Sequence, residues 1–536
     1  MAQERPRVLI TDKVAAEGID LLRPVAEVDE RIGISPDDLR AIIGGYDALV
    51  VRSETRVTGD ILAAGEKLKV VARAGVGVDN IDVEAATTRG VIVVNSPTGN
   101  VAAAAEHTVA LLLALARHVP AANTSLKNGK WERSRFVGVE VRNKTLGIVG
   151  IGKVGLGVAR SALGMGMRVI ATDPYASPDI AAQLGIELTS LEAVLPRADF
   201  LTTHAPLTPA TRGMIGEREL ALLPQGARVL NVARGGLVDE AALLAALESG
   251  HIAGAAFDVF TAEPPKEEVT LQLIAHPHVV ATPHLGASTE EAQVTVALDV
   301  CEQVADILAG GLPRAAVNAP IILPETLKEL QPYVTLVEKL GRLYTQMYPG
   351  PLQRFDLTLA GGLAEMDIRP LRAALIKGLL ESVSEARVNL VNAGLLARQR
   401  GLEIVEHHSP NAAQYANLIT LQSTHEAESH ALAGAVTWGE DRIVRVDSYR
   451  TDFAPVGDIL LCRNSDRPGV IGRVGTILGN ANVNINHMDV GPLDASGPNA
   501  SGEALMILNI ETAVPAEALA AIHAVDGIRD AISVKL

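Results

Sequence analysis

Three residues carry side chains that together could move a proton while a hydride leaves carbon. Arg234 stands in Asn231-Val232-Ala233-Arg234-Gly235-Gly236, and Glu263 in Phe257-Asp258-Val259-Phe260-Thr261-Ala262-Glu263-Pro264-Pro265. His284 stands in Thr282-Pro283-His284-Leu285-Gly286-Ala287. Oxidation of a hydroxyl-bearing carbon releases a hydride and a proton, and imidazole exchanges protons near neutral pH. A carboxylate hydrogen-bonded to that imidazole would fix its tautomer and favour its protonated form. A guanidinium can grip a substrate carboxylate in two parallel hydrogen bonds and polarise the reacting carbonyl. Singly, each residue also has an ordinary structural use. Arg234 could cap a turn, Glu263 could be a solvated loop carboxylate, and His284 could be a satisfied buried histidine.

A second stretch supplies what such chemistry needs. Lys144 to Tyr175 reads as strand, glycine turn, helix, strand and acid. The apolar run Leu146–Val149 leads into Gly150-Ile151-Gly152-Lys153-Val154-Gly155. A helical pattern follows, then the run Arg168–Thr172, ending at Asp173. Gly150 allows the tight turn, Gly152 lets backbone approach a pyrophosphate, and Gly155 lets helix and strand pack closely. The helix start offers free N–H groups and a positive dipole end. Asp173 is placed to accept hydrogen bonds from a ribose, which favours NAD over NADP.

The elements that must position these groups form an α/β chain. Residues 1–98 alternate short apolar runs (Val8–Thr11, Ala48–Arg52, Val70–Ala74, Val91–Asn95) with helical patterns, as a small parallel unit does. Arg52 and Arg73 stand just beyond two of its strands, where α/β sheets bind ligands. They point to an anion; the alternative is solvated surface arginine. Val101–Arg117 reads as a helix carrying the chain into the dinucleotide unit, and 290–309 as a helix crossing back. The expected fold class is therefore two Rossmann-like doubly wound domains, a discontinuous substrate domain (1–98 and 287–316) and an inserted NAD domain (99–286). An α+β intervening domain (317–454) and a C-terminal domain (455–536) follow. Asn318-Ala319-Pro320 with Leu323-Pro324, and Pro455-Val456-Gly457, read as linkers. The last segment reads as βαββαβ, the order of a ferredoxin-like domain.

Composition narrows the partners. The chain has 536 residues and a formal net charge of −16. That acidity disfavours a general nucleic-acid or anionic-membrane binder, which needs a basic face. The only two cysteines, Cys301 and Cys462, sit in apolar patterns without metal-ligand spacing, so both are expected buried and reduced in a cytoplasmic protein. No metal is expected. No signal peptide and no bilayer-spanning apolar run is visible.

NVARGGLVDE, FDVFTAEPP, TPHLGAST, RAGVGVDN and GIGKVG together resemble the D-isomer-specific 2-hydroxyacid dehydrogenases, in their long form, over essentially the whole chain. The resemblance implies NAD-dependent oxidation of 3-phospho-D-glycerate to 3-phosphooxypyruvate, the first step of L-serine biosynthesis. It assigns His284 as acid/base, Glu263 as its partner and Arg234 as carboxylate anchor. Arg52, Ser53, Arg73, Asn100, Arg133 and Arg135 match substrate-holding positions, the last two from the same chain or a neighbouring subunit. Gly150, Gly152, Lys153, Val154, Gly155, Asp173, Ala205, Val232, Ala233, Asp258, Gly286 and Ala287 match cofactor-binding positions. Other 2-hydroxyacids (2-hydroxyglutarate, glyoxylate or hydroxypyruvate) and a non-enzymatic NAD-sensing corepressor are the competing readings.

The C-terminal segment resembles an ACT-type regulatory domain, through Arg463-Asn464-Ser465-Asp466-Arg467-Pro468-Gly469-Val470 and Val483-Asn484-Ile485-Asn486. Asn464, Asp466 and Asn484 would receive an amino acid between two subunits, and the implied pathway suggests L-serine. The alternative is a dimerisation module without a ligand. The middle segment resembles the extra domain of long members, either an anion binder or a spacer. The resemblance further implies a homo-oligomer, a dimer through the cofactor domains or a tetramer through the tails.

Overall fold

The structure, a computed structural model, describes residues 5–311, 313–319, 324–384, 388–425, 428–492 and 502–536. Among these residues the strands form four sheets. The first is parallel and five-stranded, in the order Glu27–Glu30, Arg7–Ile10, Ala48–Val51, Val70–Arg73, Ile92–Asn95. Four of these strands are apolar runs, as expected. Glu27–Glu30, an acidic edge strand with no buried residue, carries no such signal. Side chains alternate between the faces, so Val8 and Ile10 enter one core while Leu9 enters another.

The helix Glu290–Leu308 closes the first of those cores with Val296, Val300, Cys301, Val304 and Ile307. Full burial of each such apolar side chain is worth about 1.5–3 kcal/mol. Gly18 permits the close crossing, since a Cβ there would lie 2.7 Å from the Ala297 backbone. Burial pushes the Cys301 thiol up to about 12, which leaves it unreactive.

The second sheet is parallel and seven-stranded. Its order is Val279–Ala281, Ile252–Phe257, Ala227–Asn231, Phe200–Thr203, Thr145–Val149, Arg168–Thr172, Glu187–Leu188. The strand order reverses between Thr145–Val149 and Phe200–Thr203, which places a crevice at their carboxyl ends. The helix Val101–Ala116 packs Leu111, Leu112 and Leu115 onto this sheet beside Leu146, Ile148 and Leu230.

The third sheet is six-stranded and mixed, and is covered by the helices Pro324–Met347 and Arg369–Leu380. These helices cross closely at Gly341 and Gly378. The fourth sheet is antiparallel and belongs to a βαββαβ unit with helices Val470–Asn480 and Ala516–His523. Both faces of its central strand Asp458–Ser465 are apolar. Leu460 and Cys462 lie under the unit's own helices with Met506 and Leu508. Ile459 and Leu461 instead join Leu505, Ile507 and Val534 in the core of the third sheet's unit.

The third and fourth sheets thus share one core, and Pro455-Val456-Gly457 joins them without spacing them apart. Gly457 and Leu536 exchange backbone hydrogen bonds there. The Gln346 side-chain amide donates to the Lys535 carbonyl at 2.9 Å and accepts the Lys535 amide at 2.8 Å. Of the first linker, residues 320–323 lie outside the described residues. Among the described residues no single helix is long and apolar enough to cross a membrane.

Candidate active site

Arg234, Glu263 and His284 follow three neighbouring parallel strands, so all three emerge at one edge of the second sheet. His284 Nδ1 lies 2.6 Å from Glu263 Oε2, and both side chains are partly open to solvent. Glu263 is fixed in turn, its Oε1 accepting the Phe260 amide at 3.1 Å. With Nδ1–H committed to the carboxylate, the Nε2 lone pair is the one available to a substrate proton. His284 has a left-handed backbone, φ 55°, and its amide donates to the Asp258 carbonyl at 2.8 Å.

Asp258 organises this loop. It is only 1% exposed. Its Oδ1 accepts Thr282 Oγ1 at 2.6 Å, the Leu285 amide at 2.7 Å and His107 Nε2 at 3.2 Å; its Oδ2 accepts the Gly286 amide at 2.8 Å. Burial alone would raise its pKa. The hydrogen bonds from His107, Thr282, Leu285 and Gly286 outweigh that and hold the carboxyl below the ordinary aspartate range. Another buried acid, Glu240, accepts the Thr261 amide at 2.7 Å and Thr261 Oγ1 at 2.8 Å, fixing the loop two residues ahead of Glu263. Neither His107 nor Glu240 stood out in the sequence. A lone histidine on an alanine-rich helix and an acid beside the helix cap Asp239 were the available signals.

The arginines meet from two lobes. Arg234 pairs with Asp79 of the first lobe, Nε to Oδ2, at 3.3 Å. A Cβ at Gly77 would collide with the Arg234 guanidinium, and one at Gly75 with that of Arg73. Burial lowers the Arg73 pKa to about 10, and the charges of Arg234 and Arg52 add to this against Asp79 and Asp12. Arg73 Nε is buried without a hydrogen-bond partner. The guanidiniums of Arg52, Arg73 and Arg234 thus lie near enough to oppose one another's charge, against the carboxylates of Asp79 and Asp12.

The loop bearing Arg52 and Ser53 is shaped by Asp12, whose Oδ2 accepts the amides of Arg52, Glu54 and Thr55 at 2.6, 3.2 and 3.1 Å. Asn80 Nδ2 also donates to the Arg52 and Thr55 carbonyls, at 2.7 and 2.6 Å. Asn100 begins the helix Val101–Ala116 without a side-chain capping bond. Arg133 and Arg135 are exposed, and Arg135 makes local contacts, with Glu132 at 3.5 Å and over the Phe136 ring. Among the described residues no such contact brings them to the other arginines.

The glycine turn is built to be approached. Gly150 has φ 91°, and a Cβ there would lie 2.7 Å from the His204 carbonyl oxygen. A Cβ at Gly155 would collide with the Gly150 carbonyl, so that glycine serves packing. A Cβ at Gly152 would meet nothing within 4 Å, so its bare face opens away from the protein at the start of the helix Lys153–Gly164. Asp173 accepts the Ile151 amide at 2.9 Å and the Tyr175 amide at 2.9 Å. Each of its oxygens retains capacity for a further donor. Gly286 lies beside Val232, and Ala205 beside Gly150. These residues fit a dinucleotide: an open glycine for the pyrophosphate, a helix start for its charge and a carboxylate for the ribose.

In the fourth sheet's unit, Asn464 is 3% exposed and donates to the Ser465 carbonyl at 3.0 Å, while its Oδ1 is buried and unpartnered. The Asp466 amide donates to the Gly502 carbonyl at 2.6 Å. Gly469, φ 90°, opens the helix Val470–Asn480, and Asn484 Nδ2 donates to Asn486 Oδ1 at 3.3 Å. One residue before Asn464, Arg463 reaches Asp447 of the third sheet's unit at 2.8 Å.

A doubly wound lobe with an open glycine turn, a histidine–glutamate pair at its strand ends and an arginine-lined cleft define a D-isomer-specific 2-hydroxyacid dehydrogenase. The family model for the NAD binding domain of those enzymes matches residues 109–286, and the model for the D-3-phosphoglycerate dehydrogenase intervening domain matches 329–447. An ACT domain matches 459–527. The D-3-phosphoglycerate dehydrogenase of Synechocystis sp. is 45% identical over 532 residues, covering 99% of this chain and 95% of that one. That of Methanocaldococcus jannaschii is 42% identical over 531 residues, covering 99% of this chain and all of that one. Among solved structures, the TT0316 protein from Thermus thermophilus matches 58% of this chain and 99% of its own, with TM-score 0.54 and 35% identity. The chain belongs to the D-3-phosphoglycerate dehydrogenase family.

Proposed function

We propose that this chain oxidises 3-phospho-D-glycerate to 3-phosphooxypyruvate with NAD, the first step of L-serine biosynthesis. The observation that carries this reading is the 2.6 Å His284–Glu263 pair at the rim of a cleft where Arg52, Arg73 and Arg234 converge. Arg234 grips the substrate carboxylate, which fixes the C2 hydroxyl toward His284. His284 Nε2 takes the hydroxyl proton, and Glu263 stabilises the resulting imidazolium through Nδ1–H. Arg52 and Arg73 hold the phosphate, with Ser53 and Asn100 completing its shell. NAD, when bound, would supply the hydride acceptor. Gly150, Gly152, Lys153, Val154, Gly155, Asp173, Ala205, Val232, Ala233, Gly286 and Ala287 would hold it, and Asp258 acts by fixing the loop that carries His284.

The deciding assay follows NADH absorbance with 3-phosphoglycerate, glycerate and 2-hydroxyglutarate in parallel. A clear preference for the phosphorylated acid is expected. Preference for another acid would make this a different 2-hydroxyacid dehydrogenase, and NAD binding without turnover would restore the corepressor reading.

The same reading extends to assembly and control. Val119, Leu126, Trp131 and Val137 form exposed apolar surface beside Arg133 and Arg135. It supports a homodimer through the cofactor lobes in which these arginines reach the neighbour's cleft. Asn464, Asp466 and Asn484 would hold L-serine between two ACT units, with the helix start at Gly469 facing its carboxylate. The free, buried thiols of Cys301 and Cys462 fit a reducing cytoplasm. Calorimetry with L-serine and sedimentation analysis test these two points.

A further inference from the structure

We infer that His107 is a positioning residue for the acid/base loop, acting through Asp258. This rests on the oxidoreductase reading above and adds a residue from a different element. Among the described residues the His284 side chain pairs with Glu263, itself on a partly exposed loop. What fixes the His284 backbone is Asp258, which binds the amides of Leu285 and Gly286 and the hydroxyl of Thr282, on both sides of His284.

Asp258 is an almost fully buried carboxylate, and a buried charge keeps its place only when its oxygens are satisfied. Three of its four donors belong to the loop that it organises. The fourth, His107 Nε2, comes from the helix Val101–Ala116, 151 residues away in sequence. His107 Nε2 also lies 3.2 Å from Thr282 Oγ1, so one imidazole touches both the acid and a loop residue. The helix is the rigid element here, since Leu111, Leu112 and Leu115 lock it onto the sheet.

His107 therefore sets where Asp258 sits relative to the scaffold, and Asp258 sets where His284 sits. The same helix has Asn100 at its N-cap position, and it carries the chain from the first lobe to the second. The link thus ties the acid/base loop to the segment on which the lobes are joined. A shift of about 1 Å in a catalytic group can cost up to about a hundredfold in rate.

The test compares His107→Leu, His107→Asn and His107→Gln in the full-length enzyme, with thermal unfolding, NAD binding by fluorescence and steady-state kinetics. Gln can place an amide donor near the position of Nε2, whereas Asn falls short and Leu has no donor. Leu and Asn are expected to lower kcat about tenfold, with KM for 3-phosphoglycerate and affinity for NAD nearly unchanged. Gln is expected to recover most of that loss. If Leu does not fold, the Asn–Gln comparison carries the decision alone. Equal kcat for Asn and Gln, or losses that fall on KM and NAD affinity instead of kcat, would overturn the inference. An inactive parent enzyme would overturn the oxidoreductase reading instead, and the two failures are thereby distinct.

Discussion

Asp12 lies beneath Arg52, its buried carboxylate accepting the Arg52 amide at 2.6 Å and two further amides of the same loop. The Arg52 loop is therefore shaped from below by a buried acid. Asp12→Ala leaves these amides without their acceptor, at a cost of about 1–3 kcal/mol. Its KM for 3-phosphoglycerate should rise about tenfold while NAD affinity stays near that of the parent. Arg52→Ala should show the same selectivity without the stability loss. Urea unfolding and paired substrate titrations check both variants, and equal losses for both ligands would remove the phosphate role.

The pairing of His284 with Glu263 predicts a split between binding and turnover. His284→Ala should retain NAD affinity and lose about 10²–10⁴-fold in kcat, the range attributed to a positioned acid or base. Glu263→Gln keeps the shape, removes the charge and should fall between this variant and the parent. Pre-steady-state NADH formation separates the chemical step from product release, and near-normal turnover of His284→Ala would refute its role.

Gly152 and Gly155, on the same turn, should fail in opposite ways. Gly155→Ala drives a methyl group into the Gly150 carbonyl, so its unfolding temperature should fall, by the equivalent of about 1–3 kcal/mol. Gly152→Ala meets no protein atom and should fold as the parent does. Its methyl group would occupy the space open to a pyrophosphate, so KM for NAD should rise. Calorimetric unfolding set beside NAD titration distinguishes the two outcomes.

Asp258 gives a pH signature with a definite sign. Its carboxyl is held below the ordinary value of 3.8, so its contribution is fully present above that value and is lost as pH falls through the lower folded-state value. Asp258→Asn should therefore be less stable than the parent at neutral pH, and the gap should close on acidification below 3.8. Urea midpoints measured along a descending pH series test this, and a gap constant across the series would count against it.

The dinucleotide turn and the three strand-end residues were legible in sequence because their signals are local. Glycine spacing, an acid at the end of the next strand and apolar runs before each motif need no knowledge of the fold. Asp12, Glu240 and His107 were not legible, because each matters through a partner 21 to 151 residues away. Glu27–Glu30 escaped because an exposed acidic edge strand has no apolar run. Pro455-Val456-Gly457 read as a linker from its turn residues. The strand after it held a contrary signal: Ile459-Leu460-Leu461-Cys462 is apolar on both faces, which a sheet covered on one side does not need.

That doubly apolar strand has a consequence for anyone trimming the chain. Severing it at Gly457 would strip Ile459, Leu461, Leu505, Ile507 and Val534 from their neighbours and leave two wet hydrophobic wounds, one on each fragment. The fourth sheet's unit is welded to the third's, so the two are built as one solid piece. Upstream, that piece opens with the helix Pro324–Met347 and still reaches the first lobe through Asn389, whose Nδ2 donates to the Gly90 carbonyl.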